Sequence, residues 1–311
     1  MRPVNLFAQF PAGCAAGNQA GCLPMKFKVF VQNALHARAL VLLAALAMTC
    51  WSSFAQAPPA AGAAPKEQIE GFKEHLLPGG KWYQHDSDRP QPPIVTPGAA
   101  FSQAAPPPSD AEVLFDGKDL AKWQNDRGQA ANWKVLDGYM EVTRGGDIRT
   151  RGKWSDFQLH VEWAEPTGTD GLHGQSRGNS GILINNLYEV QVLDSYHSLT
   201  YPDGQAGAIY GQMPPLVNVC LPPGEWQTYD IIFNVPHFGP NGEVLSPGYV
   251  TVYHNGVVAQ NHQAIRGATN WRSPGKYTPH GPSGPLALQF HNNAVSFRNI
   301  WVRPVPVVDE P

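Results

Sequence analysis

Cysteine is nearly absent from the working part of this chain. Of four cysteines, Cys14, Cys22 and Cys50 lie at or before the signal-type segment, which leaves Cys220 alone downstream. One thiol cannot make an internal disulfide, so the fold must rely on a hydrophobic core. Asn218, Val219, Leu221 and Pro222 offer Cys220 no base, and it reads as a buried structural thiol. Charge is sparse too: charged residues make up 15% and the formal net charge is −3. That leaves no basic patch and excludes nucleic acid as a partner. The mature chain has no apolar run long enough to span a bilayer. No amphipathic helical period follows residue 109, and no Gly-x-Ser-x-Gly elbow, phosphate loop or dinucleotide fingerprint occurs. Histidines do not pair at zinc spacing and no EF-hand loop is present, so neither metal nor cofactor is expected. Calcium held by backbone carbonyls would leave no readable motif.

Glycine and proline are plentiful, at 31 and 30 residues. Met25-Lys-Phe-Lys followed by the apolar run at 39–48 reads as an export signal, with Ser53-Phe-Ala55 a cleavage site before Gln56. The expectation is an exported protein, periplasmic or extracellular. Residues 1–55 form the upstream and signal segment, and 56–108 a Pro/Ala-rich linker with a short helix over Lys66–Leu77. Residues 109–306 form the folded domain. Short alternating runs mark its strands, among them 157–163, 181–184, 228–233, 249–253, 285–290 and 296–302. Asp137-Gly138 and Asn255-Gly256 are hairpin turns, because glycine and Asn/Asp accept positive φ. The fold class is all-β, a two-sheet antiparallel jelly-roll sandwich.

The segment Arg177-Gly-Asn-Ser-Gly181 through Asp194 carries the densest polar pattern. Strand parity puts Glu189 and Gln191 on one face and Val190 and Val192 on the other. A bulge after Gln191 would return Asp194 to the side of Glu189. Two carboxylates and an amide on one strand suit sugar hydroxyls and proton transfer. Arg177 and Asn179 precede the strand. Tyr210, in a loop of amides and small residues, is a platform or proton donor. His291 sits in a tight connection, and Arg298 alternates with Phe297 on the next strand, as a partner for Glu189 or an oxyanion. Trp226, Trp163 and Trp301 are expected in the core.

These residues fall within an ordered set of motifs. They include Leu114-Phe-Asp-Gly-Lys-Asp-Leu-Ala-Lys-Trp123, Arg177-Gly-Asn-Ser-Gly-Ile, Tyr188-Glu-Val-Gln-Val-Leu-Asp-Ser195, Gly207-Ala-Ile-Tyr-Gly211 and Val295-Ser-Phe-Arg-Asn-Ile-Trp-Val-Arg303. In this set the chain resembles the 3-keto-disaccharide hydrolase family across residues 112–304. The resemblance implies a concanavalin-like jelly roll and an exported enzyme acting on glycosides oxidised at C3. Where the family commonly has Gln-Asp-His-Gly, this chain has Gln289-Phe-His-Asn292, so a carboxylate and a glycine are replaced by Phe290 and Asn292. The spacing Glu189-x-Gln191-x-x-Asp194 is similar to the Glu-x-Asp-x-x-Glu of retaining β-glucanases, with the middle acid lost.

The expected chemistry is cleavage of a 3-keto-glycoside, with a carbohydrate as partner. Glu189 would be the base at C2, Asp194 or His291 the acid for the departing oxygen. Arg177, Asn179, Gln191, Tyr210 and Arg298 would bind the sugar. The alternatives are a lectin-like carbohydrate-binding module and an ordinary glucan hydrolase.

Overall fold

A computed structural model describes residues 71–99 and 102–305; the signal segment and the start of the expected helix lie outside the described residues. Its strands, in chain order, are β1 Glu112–Phe115, β2 Trp123–Asn125, β3 Lys134–Leu136, β4 Tyr139–Glu141, β5 Ile148–Thr150, β6 Phe157–Ala164, β7 Ser180–Ile184 and β8 Tyr188–Val192. They continue with β9 Gln227–Asn234, β10 His237–Phe238, β11 Val244–Ser246, β12 Tyr249–His254, β13 Val257–Ala264, β14 Leu286–Leu288 and β15 Ser296–Pro304. Two single-turn 3-10 segments are the helical elements among the described residues.

The strands form an antiparallel sandwich. An eight-stranded sheet runs β13-β12-β9-β6-β15-β4-β3, with β1 also on β15, and a five-stranded sheet runs β2-β5-β14-β7-β8. Alternation explains the core. Phe157, Leu159, Val161 and Trp163 of β6 and Tyr229, Ile231 and Phe233 of β9 point inward, against Ile182, Ile184, Val190 and Val192 of the other sheet. The predicted hairpin residues hold the required conformation: Asp137 and Gly138 have φ of 45° and 88°, Asn255 and Gly256 49° and 78°.

The Pro-rich stretch is not a free linker over its described part. Residues 72–85 double back as an irregular hairpin, with Phe72 N–H to His85 O at 2.9 Å and Gln84 N–H to His75 O at 2.8 Å. The reversal uses Gly79 and Gly80 at positive φ, and residues 71–77 are therefore not helical. Prolines remove donors from a regular ladder but leave side chains free to anchor the segment. Gln91 donates to Thr200 O and Val95 N–H to Asn218 O, which straps the segment to the sandwich. Further on, Ser102 and Ala104 bond Asp230 and Glu162 on the outer face of the eight-stranded sheet.

Candidate active site

The site is set by the β7–β8 hairpin. Its turn residues Asn185 and Asn186 both have positive φ, at 55° and 57°, and fix the register. Leu183 then pairs with Glu189 and Gly181 with Gln191. The ladders carry these two rows across the five-stranded sheet. One row runs Arg149, Ala287, Leu183, Glu189. The chain beyond β8 adds Tyr210, whose N–H donates to Glu189 O at 3.2 Å. In the other row Gln289 donates its N–H to Gly181 O, and Ala208 O accepts from Gln191 N–H, both at 3.0 Å. The outer face of this sheet is thus floored by glycine and alanine and edged with polar groups.

Glu189 lies on that floor and is 4% exposed. Burial, with a further push from the Asp147 charge, raises its carboxyl from 4.5 to about 8. Among the described residues none hydrogen-bonds to that carboxyl. Tyr210 and Tyr201 share a 2.7 Å hydroxyl contact, and burial together with the Glu189 charge pushes both phenols upward. His85 of the upstream strap lies against both rings, at centroid distances of 4.2 Å from Tyr201 and 5.1 Å from Tyr210.

Asp147 is a carboxylate of this face that the sequence reading missed. It precedes β5 and accepts the Phe290 N–H at 2.8 Å. Burial raises its pKa, and the neighbouring His291 opposes the rise. Asp147 therefore puts a carboxylate beside His291 although residue 290 itself is Phe. The available signal was an acid directly after Gly145-Gly146, ahead of an Ile-Arg-Thr strand. Arg149 was missed too. Register puts it on the Glu189 face, and its guanidinium also donates to Asp126 O at 3.0 Å.

The other predicted residues separate into four groups. His291 is exposed at the edge of the face, beside Asp147. Gln191 and Asn179 are buried and tied together through Gln175: Gln191 Nε2 donates to its Oε1 at 3.0 Å and Asn179 Nδ2 to its backbone O at 2.8 Å. The side-chain oxygens of Gln191, Asn179 and Gln289 have no hydrogen-bond partner among the described residues.

Asp194 and Arg177 leave this face. Asp194 does not return to Glu189: β8 ends at Val192, and the Asp194 N–H donates to Arg177 O at 3.2 Å. Asp194 is fully buried and pairs with Arg177 Nε at 2.6 Å, beside Glu165. Burial raises both acids, and Glu165 is raised further by Asp194 and eased by two 3.0 Å bonds from Gln227. A structural anchor results, apart from Glu189.

Arg298 belongs to the other sheet. Phe297 enters the core, so parity sends Arg298 to the outside of the eight-stranded sheet. There Arg298 Nε meets Glu162 Oε2 at 2.7 Å and its guanidinium lies 4.0 Å above the Trp226 ring. Burial pushes Glu162 up, yet His160, Asn299, Arg298 and the Ala104 N–H together hold it at about 2. Trp226 is therefore half-buried on this outer face, not in the core. Trp301 is buried, as expected, and stacks on His160 at 5.2 Å.

No group of three or more His, Cys, Asp or Glu side chains among the described residues is placed to hold a metal ion. No helix among them is long and apolar enough to cross a membrane. A cavity of about 270 Å³ lies between residues 94–97 and Cys220–Pro222, away from Glu189. Tyr196, His197 and Asn218 also line it.

The structure is thus an all-β sandwich with a buried acid, amides and tyrosines gathered on one sheet face. Residues 110–303 match the 3-keto-alpha-glucoside-1,2-lyase-like domain, and the chain belongs to that family. A crystal structure from Parabacteroides distasonis is 47% identical over 73% of this chain and 95% of that one, with a TM-score of 0.63. A second protein from the same organism is 21% identical over 63% of this chain and 94% of its own, with a TM-score of 0.44. Both carry the name "putative glycosyl hydrolase". A comparison with curated proteins finds no match.

Proposed function

We propose that this chain is an exported enzyme that cleaves 3-keto-glycosides by elimination across C1 and C2, followed by hydration. The observation that carries the reading is Glu189: a buried carboxyl with no partner, held protonated to about pH 8 beside two tyrosine hydroxyls. At neutral pH it is a proton donor, and as a base it would work only above pH 8. The acid and base roles read from the sequence are therefore exchanged.

The C3 ketone acidifies the C2 proton. The base is His291, supported by Asp147, and it takes that proton as the C1–O bond breaks. The electron pair of C2–H forms the C1–C2 double bond. The leaving oxygen departs with the C1–O pair and takes the Glu189 proton. Arg149, on the same face, stabilises the negative charge that develops on the ketone oxygen. Water then adds its oxygen to C1, with a proton returning to C2, and the products are a 3-keto-sugar and an alcohol. Unpartnered oxygens of Gln191, Asn179 and Gln289 accept from sugar hydroxyls.

The test is incubation with a 3-keto-glucoside and with its unoxidised parent in deuterated water. Release of the aglycone from the oxidised compound alone, with deuterium at C2 of the sugar, is the expected result. Equal turnover of both without label means ordinary glycoside hydrolysis. Binding without turnover of either means a lectin-like module.

A further inference from the structure

Among the described residues most tryptophans are buried or half-buried, but Trp271 is 60% exposed. An indole left in water forfeits the stabilisation that burial would bring a large apolar side chain. This one is nonetheless held in place. Its carbonyl accepts from His85 Nε2 at 2.6 Å, and that of Asn270 from Gln84 Nε2 at 2.8 Å. The Phe72 ring meets it edge-on, with centroids 6.3 Å apart and planes at 90°. Arg272 reaches over both rings, 5.2 Å from Trp271 and 4.6 Å from Phe72, and is itself paired with Glu74.

The position is as informative as the exposure. Thr269, two residues earlier, accepts the Glu189 N–H at 3.0 Å. His85, which holds the Trp271 carbonyl, packs on Tyr210 at 5.1 Å. Trp271 thus stands at the rim of the face that carries Glu189. Three of the side chains that fix it, Phe72, Gln84 and His85, come from the strap upstream of the matched domain.

We infer that Trp271, locked by residues 72–85, is the stacking surface of an outer subsite for the ring attached through the C1 oxygen. This assignment rests on the reaction proposed above, in which that ring leaves. A fixed aromatic ring that stays 60% exposed suits a flat ring with an apolar side, either a second pyranose or an aromatic aglycone.

Three substrates separate the sources: the 3-keto derivatives of methyl α-glucoside, 4-nitrophenyl α-glucoside and trehalose. For Trp271→Ala the ratio of kcat/KM for a ring-bearing substrate to that for the methyl compound should fall at least tenfold, mainly through KM. Trp271→Phe should restore most of it, with both variants melting near the parent. A fall for the nitrophenyl compound alone assigns an aromatic occupant, and for trehalose alone a sugar. Unchanged ratios overturn the subsite. Should the parent protein turn over none of the three, the reaction fails, and calorimetric binding of the unoxidised glucosides decides the subsite separately. Trp271→Ala must then weaken 4-nitrophenyl glucoside or trehalose at least tenfold more than methyl glucoside. Equal weakening, or no binding by the parent, overturns it.

Discussion

The Glu189 carboxyl lies over Gly181 so closely that a β-carbon at residue 181 would collide with its Oε1. The missing side chain at 181 is what allows the acid to lie flat on the sheet, one strand away from its own. The contact would fall on the far end of a flexible side chain and not on backbone, so the sheet itself can absorb a methyl group. Gly181→Ala should therefore melt within a few degrees of the parent while losing on the order of 10²-fold in kcat, because the acid is displaced. Parallel melting and turnover measurements check this. A large loss of stability with full activity in the folded fraction would contradict it.

Glu189 should also govern the alkaline side of both rate and stability. Its folded value of about 8 lies above the ordinary 4.5, so the native state keeps a proton that the unfolded chain loses. Its contribution to stability is full below about pH 4.5 and fades as pH rises to about 8. The difference is on the order of a few kcal/mol. Glu189→Gln should flatten the stability profile between pH 5 and pH 9 and abolish turnover. The parent's rate should fall above about pH 8 as the donor ionises.

Asp147 and Arg298 give opposite expectations. Asp147→Asn keeps the shape that receives the Phe290 N–H but removes the charge beside His291. Turnover should drop roughly 10²-fold with little change in melting. An unchanged rate would remove Asp147 from the reaction.

Arg298→Ala breaks the pair with Glu162, which is fully buried, though Arg298 itself is 30% exposed. That partial exposure discounts the loss to about 2 kcal/mol. Melting should fall by roughly 5 °C, while the folded variant keeps kcat/KM within about threefold. Loss of activity without loss of stability would return Arg298 to the site.

The strands were readable because their alternation is regular: Phe157, Leu159, Val161 and Trp163 all point to the core. Parity likewise gave the shared face of Glu189 and Gln191. Parity cannot say which sheet a strand joins, however, and so Arg298 was placed in the cleft when it lies on the far side of the sandwich. Asp194 was misplaced because the end of a strand has no periodic mark, and the pull of Arg177 on its carboxyl depends on a contact 17 positions away in sequence. Asp147 escaped notice because β5 has only three residues. The strap escaped because prolines announce the absence of a ladder and say nothing about side-chain docking.

The strap has a further consequence for where this protein begins as a folding unit. Before β1 starts at Glu112, the chain has already touched both outer sides of the sandwich. Residues 84–91 bond Asp203, Thr200 and the 270–271 backbone on one side. Ser102 and Ala104 bond Asp230 and Glu162 on the other. The matched domain starts at residue 110. A fragment cut there would keep every ladder, yet hydrate Asp203 and Glu162, two carboxylates now wholly shielded. The start of the matched domain therefore falls inside a network of contacts that the upstream strap completes.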